Sequence, residues 1–531
     1  MKYSNNTNRI FGKDWLQYHP FSENTFIDNY YIELCNKVLK IIQQSKVADF
    51  FGKEKDKKAL ACILVSYFED IISETRLFSS FTCMHKKMYG KELPFYEISD
   101  DYYSDEINFR DIYFLIWYQI SVHHEDVFID PYFGNNQAFN DIVSRIYDLF
   151  NSDFEKAPQN EKLQNFLKLS ANSDVKTIRE KLSFIAHKSF LCKTVFDKYI
   201  LTIIDKYKKN GTVVLDKHAE VDIYDHQIHF IFDKCMPLLA MRTTEYYAEI
   251  LGEEHSEYQF IKNIPKRIVG CFVIRKIESD GYLIEHLSSK KQIWLSNEFT
   301  SFENVKLVEN YTVLTICLVR WRNDIWQNQG GCMINTIDEM KGEDVSKHIF
   351  DDENIKRDVI DKMGKAFLEI TNGKQIYYLR GNREYAEFHL KLIRKHAKIL
   401  KPDITDIKLD EMYKDFIENN IKKTPFKNNE ALGLFFNMNS GMEVYREGII
   451  ACIADKANPF YAHEEFDLFD LIIEKSISKE FVNFIIENNL INFCDDDDTS
   501  DKFNIMMENI DFLLRFYRQS GYFSKPEISL A

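Results

Sequence analysis

Residues 108–122 read NFRDIYFLIWYQISV. On a helical wheel Phe109, Ile112, Leu115, Ile116 and Ile120 form one apolar face, and Phe114, Trp117 and Tyr118 form a second on the opposite side. A helix that is apolar all round belongs in an interior. Asn108 is placed to cap its N-terminus. Asp111, at the third helical position, is placed to accept backbone donors and to complement the helix dipole. The segment falls short of the ~20 apolar residues that a bilayer crossing needs, so it is expected to be the central helix of a soluble domain.

Around it, 531 residues exceed the ~250–300 at which one hydrophobic core stops growing, and several domains are expected. Aromatic residues make up 15% of the chain, while Gly (18) and Pro (10) are scarce, which favours helices and strands over long loops. The net charge of −15 argues against a surface built as a whole to coat nucleic acid, and leaves room for a local basic site. Ten cysteines lie far apart without a C-x-x-C pair, so buried reduced thiols are expected rather than a disulfide framework or zinc ribbon. Residues 1–14 lack a signal-peptide pattern and no stretch reads as a membrane span, so the expected location is the cytoplasm, with no membrane contact.

Helical periodicity recurs at Tyr30–Ile42, Leu60–Phe78, Phe109–Val122, Ile142–Phe150 and Ile178–Ile203, which predicts an all-α domain over 1–210. A mixed connecting segment follows over 211–264, with a short strand near Thr212–Leu215. Val221–Leu251 is ambiguous in period and is broken by Pro237. Short β-rich runs at Ile268–Ile274, Tyr282–Leu287, Gln292–Leu295 and Val313–Trp321 predict a small β-barrel-like domain over 265–335 that ends near Gly330-Gly331. The rest, 336–531, reads as mixed α+β. It holds helices at Asn354–Ile370 and Arg383–Leu400, and strands at Gln375–Leu379, Leu432–Asn437 and Glu443–Ile453. Closing helices are expected around Phe466–Glu474, Lys479–Asn488 and Ile505–Gln519. The fold class is therefore α+β multidomain.

The short motifs Trp15-Leu16, His19-Pro20-Phe21, Asp28-Asn29-Tyr30-Tyr31, Tyr67-Phe68-Glu69-Asp70, Tyr89-Gly90, Leu93-Pro94-Phe95-Tyr96, Asp105-Glu106-Ile107-Asn108 and Phe114-Leu115 with Trp117 occur in order. Ala157-Pro158-Gln159-Asn160 extends the set. In these stretches the chain resembles an uncharacterised domain family of Bacteroidota, most strongly over residues 15–165. The resemblance implies a cytoplasmic bacterial origin and brings no activity, cofactor or catalytic residue with it.

Four constellations could carry chemistry. Asp70 and Glu74 lie one turn apart with His85 after them, and could hold a divalent ion as a metal-dependent hydrolase or nuclease would. Glu69 is expected to point away from the core. Asp100, Asp101, Asp105 and Glu106 lie close in sequence. His123-His124-Glu125-Asp126 with Asp130 has ligand types that suit zinc, iron or manganese but lacks H-E-x-x-H spacing. Asp222, Asp225, His226 and His229 share a face only if that segment is helical. From Lys374 to Lys401, eight Lys or Arg stand against Glu384 and Glu387. Lys391, Arg394, Lys395 and Lys398 line the polar side of a helix that could meet phosphate, with Tyr377 and Tyr378 placed to stack on bases. Each constellation has an ordinary reading as caps, solvated acids or an amphipathic surface. Asp495–Asp498 reads as an exposed acidic loop.

No Walker loop, G-x-G-x-x-G after a strand, or G-x-S-x-G elbow is present. Whether the chain is an enzyme, and with what cofactor, is left open by these residues. The leading expectation is a non-catalytic interaction or regulatory protein with a protein partner. The alternatives are nucleic-acid binding through residues 383–400 and the metal-dependent hydrolase or nuclease.

Overall fold

A computed structural model describes residues 8–98, 102–209, 212–213, 216–297, 302, 305–340, 353–401, 404–405, 408, 426–494 and 500–523. The chain forms two compact units, 1–349 and 350–531. The expected divisions after residues 210 and 264 therefore fall inside the first unit, where helices and barrel are packed together. Asp100, Asp101 and Asp495–Asp498 lie outside the described residues.

Helix α1 (Phe26–Gln43) starts at a capping box: the Thr25 hydroxyl accepts from the Asp28 amide while the Asp28 carboxylate accepts from the Thr25 amide at 2.6 Å. The expected single helix over Leu60–Phe78 is two, α2 (Glu54–Ile72) and α3 (Leu77–Tyr89). Glu74 and Arg76 take left-handed backbone between them (φ 52° and 63°), which ends the first helix and turns the chain. The central helix is α4 (Phe109–His123), buried continuously from Asp111 to Val122. Asn108 gives it no side-chain cap. Asp111 is fully buried and accepts instead from the hydroxyls of Tyr67 (2.8 Å) and Tyr102 (3.1 Å), because aromatic residues crowd that end and bring their donors with them.

After α5 (Gln137–Asp153) and α6 (Glu161–Leu167), the run at Ile178–Ile203 again resolves into two helices, α7 (Val175–His187) and α8 (Lys193–Asp205). The ambiguous segment is helical: α9 (Lys217–Phe232) and α10 (Thr243–Leu251) flank the break at Pro237.

Five strands then close a barrel in the order β1-β2-β3-β5-β4: β1 (Ile268–Ile277), β2 (Gly281–His286), β3 (Gln292–Ser296), β4 (Thr312–Arg320) and β5 (Trp326–Thr336). Neighbours are antiparallel except β3 beside β5. Gly330-Gly331 does not end the domain. It lies inside β5, where a Cβ on Gly330 would come within 2.3 Å of Asp225 Oδ1 and 2.8 Å of Arg267 Nη1. Strand β4 is buried on both faces because one fills the barrel while Val313, on the other, packs with Val273 and Met340.

The second unit has a three-stranded antiparallel sheet, β6 (Ile376–Arg380), β7 (Ala431–Asn437) and β8 (Gly441–Arg446), with β7 central. Helices α11 (Glu353–Ile370) and α12 (Gly381–Leu400) cover it through Phe367, Phe388 and Leu392. The expected strand Glu443–Ile453 stops at Arg446 and becomes helix over Glu447–Cys452, where Ile450 packs on the sheet so closely that a Cβ on Gly433 would lie 2.3 Å from its Cδ1. The closing helices are Leu468–Ile473, Lys479–Glu487, Ser500–Glu508 and Ile510–Arg518. Arg518 is buried and donates to the carbonyls of Leu471 (2.6 Å), Ile472 (2.8 Å) and Ile477, so it satisfies the open end of the first of these helices. Among the described residues no helix is long and apolar enough to cross a membrane.

Candidate functional site

The densest polar assembly in the first unit centres on Glu69, which the helical wheel directs away from the core. Its carboxylate is buried and holds His19 Nε2 at 2.7 Å and Asn160 Nδ2 at 2.8 Å. Ser73 Oγ accepts from the Asn160 amide at 2.9 Å, and Asn160 Oδ1 caps α6 at Leu163. Burial opposes protonation of His19, yet the Glu69 carboxylate beside it carries its pKa above the ordinary value. The Trp15 indole donates to Asp28 at 3.0 Å and Tyr31 donates to the Pro158 carbonyl at 2.7 Å. Motifs separated by up to 145 residues in the chain thus converge on one side of α2. The wheel failed at Glu69 because α2 is enclosed on every side from Leu60 to Ile72, so it has no solvent face there.

Asp70, Glu74 and His85 are not brought together as a ligand set. Asp70 is buried and caps α3, accepting from the amides of Leu77 (2.9 Å) and Phe78 (2.8 Å) and from the Thr75 hydroxyl. Burial pushes its pKa up to about 6 against the pull of those donors. Glu74 is exposed in the left-handed turn. His85 Nδ1 meets the Lys91 carbonyl at 2.6 Å, and burial lowers its pKa to about 4.

The second constellation also diverges. His124 reaches the Phe50 carbonyl at 3.0 Å, His123 packs edge-on against Phe51, and Glu125 pairs with Lys198 at 3.0 Å. Asp130 accepts from the Tyr132 and Gly134 amides. Among the described residues no three His, Cys, Asp or Glu side chains gather as a metal-holding group.

The third constellation does lie on a helix, α9, and its members fasten that helix to its neighbours. Tyr207 donates to Asp222 and Tyr199 meets His226, both at 2.7 Å. Arg267, whose side chain is 3% exposed, bridges Asp225 Oδ1 (2.9 Å) and Asp233 Oδ2 (2.7 Å), while His229 holds Asp233 at 2.7 Å. Burial works to raise the pKa of Asp233. His229 and Arg267 outweigh it and leave the carboxylate below its ordinary range. The Gly331 amide donates to Asp225 as well, so helix and barrel are joined through Arg267 and through a backbone amide of β5. Arg267 precedes the first barrel strand and gave no sequence signal of this role.

On α12, Lys391, Lys395 and Lys398 are exposed, Arg394 is half-buried, and Lys395 pairs with Glu369 at 2.6 Å. Tyr377 is 39% exposed, with its ring stacked on Phe388 at 5.1 Å, and Tyr378 is half-buried. A further acid, Glu443, is fully buried and accepts from Asn437, Ser440, Tyr445 and Ser478 within 2.6–2.9 Å. Its place in a β-rich run hid it from sequence reasoning.

Residues 9–273 match the model of a family described as protein of unknown function (DUF3843), and over that span the chain belongs to an uncharacterised domain family. No curated protein and no solved structure matches the chain.

Proposed function

We propose that this chain is a non-catalytic interaction protein acting in the cytoplasm of a bacterial cell, with a protein as its partner. The observation that carries this reading is where the reactive side chains are used. Glu69 with His19, Asp70 at the start of α3, Asp111 between two tyrosines, and Asp225 and Asp233 on Arg267 each tie separate elements together. Residues committed in this way supply rigidity, which a binding surface needs. Exposed apolar side chains stand at one end of the barrel: Val308 and Tyr311 lead into β4 beside the part of β5 that carries Met333 (57% exposed) and Ile334. The test is retention of a defined partner by the purified full chain, compared with Met333→Glu and Tyr311→Glu variants of unchanged melting temperature. Partner retention that is lost in the variants supports the reading; repeated failure to recover any partner, or equal retention by the variants, overturns it.

The exposed lysines of α12 favour a second reading, nucleic-acid binding. Closed five-stranded barrels include oligonucleotide binders, an analogy of architecture alone. Binding through α12 weakens as salt rises, and neutralising Lys391, Arg394, Lys395 and Lys398 lowers both the affinity and the salt slope. Affinity for a mixed-sequence single strand that is unchanged in the quadruple variant removes this reading.

A further inference from the structure

The turn that follows the buried His19–Glu69 pair, Pro20-Phe21, forms one wall of a cavity of about 520 Å³ whose opposite wall is α7. That volume is in the range of small-molecule sites. Three rings give it an apolar lining. Phe166 meets Phe21 edge-to-face at 5.8 Å and Phe184 at 5.7 Å. The rings are fixed from outside: Phe21 follows the anchored His19, and the Phe166 carbonyl accepts from Lys181 at 2.6 Å.

Two cations share the lining. Lys188 is half-buried, and among the described residues it has neither ion pair nor side-chain hydrogen bond. Burial and the nearby Lys193 both lower its pKa. Arg179 uses only Nη1, toward the Tyr224 hydroxyl (3.3 Å) and Gln329 Oε1 (3.4 Å), which leaves Nε and Nη2 without a partner among the described residues. Those two donors are the pair that grips a carboxylate or phosphate in a bidentate fork. Glu180, the carboxylate on this lining, is exposed and pairs with neither cation. Ser183, one turn beyond Arg179, adds a hydroxyl that already contacts His187 Nδ1 at 3.2 Å.

A half-buried lysine without a counter-ion among the described residues is unfavourable, and an anion beside it would relieve it. We infer that this cavity binds a small organic anion, a carboxylate or phosphate ester borne on a flat apolar ring. The ring lies among Phe21, Phe166 and Phe184, and the anionic group meets Arg179 and Lys188. Its lining shares no residue with the exposed patch of Val308, Tyr311, Met333 and Ile334, and the inference does not depend on the partner-binding reading.

The test is calorimetric titration of the full chain with benzoate and with phenyl phosphate, each set against inorganic phosphate and benzyl alcohol. Saturable binding by benzoate identifies a carboxylate site and by phenyl phosphate a phosphate site, while the two controls bind at least tenfold more weakly because each lacks one half of the recognition. Arg179→Gln and Lys188→Gln each weaken the aromatic anion about tenfold or more, the loss of a charge-assisted contact. Lys188→Gln breaks no ion pair and is expected to melt at or above the parent temperature, so a loss of binding reads the site rather than the fold. Absence of saturation by both aromatic anions up to about 10 mM overturns the inference. Equal binding of the controls, or affinity unchanged in both variants, overturns it as well.

Discussion

Replacing Arg267 with methionine tests how the barrel is fastened to the helices. The Arg267 side chain is 3% exposed, and its guanidinium donates to Asp233 (2.7 Å), Asp225 (2.9 Å) and the Gln329 carbonyl (3.1 Å). Removing one member of a buried charge pair costs about 3–5 kcal/mol, mostly because the other charge is left uncompensated. Here Asp233 keeps His229 and Asp225 is 29% exposed, so the lower end applies, about 3 kcal/mol, or about 5 °C in the melting of the first unit. The pH dependence gives a second reading of the same quantity. Asp225 and Asp233 are held below the ordinary carboxylate range in the fold, so their stabilisation is present above the unfolded value near pH ~4 and is lost as pH falls through the folded values. The deficit of the variant is therefore full at pH 7 and shrinks in acid. Thermal and urea unfolding followed by circular dichroism at pH 7 and near pH 3.5 measures both. A variant within about 0.5 kcal/mol of the parent at pH 7, or a deficit that does not shrink in acid, refutes the assignment of Arg267 as the fastening residue.

Gly330→Ala places a methyl 2.3 Å from Asp225 and 2.8 Å from Arg267 and should cost about 3 kcal/mol in urea unfolding, against about 1 for Gly331→Ala, whose nearest neighbour is Val221 at 3.1 Å. Asp70→Ala strands two buried amides at the start of α3 and is expected to cost about 3 kcal/mol, read as a shift of the urea midpoint with unchanged slope. Burial pushes Asp111 up to about 7, so its fold-stabilising contribution is fully present below the unfolded value and is lost as pH rises through about 7, a change of about 4 kcal/mol. Asp111→Asn should flatten that slope, with the variant gaining on the parent between pH 5 and pH 8 in melting temperature.

The buried helix at Asn108–Val122 and the barrel strands were legible because each has a period that belongs to one secondary structure. Alternate positions in Ile268–Ile274 and the all-round apolar wheel of Phe109–Val122 do not depend on distant partners. The breaks at Ser73–Arg76 and Lys188–Cys192 were not legible, since neither carries a proline or glycine and the apolar spacing continues across both. Strand β5 escaped because Gly330-Gly331 has the composition of a turn; the glycines answer to Asp225 and Arg267, 60 or more residues away in the chain.

Local periodicity and composition are enough to set out the helical first part, the β-rich middle, the mixed last part and the stripe of lysines on α12. What the charged residues do follows instead from how the elements pack. Asp70 and His85 sit on neighbouring helices yet turn to different partners, and Glu69 finds His19 and Asn160 across 50 and 91 residues. The physical reason is that a buried charge takes its role from the donors that surround it, and those donors are assembled by packing rather than by order along the chain.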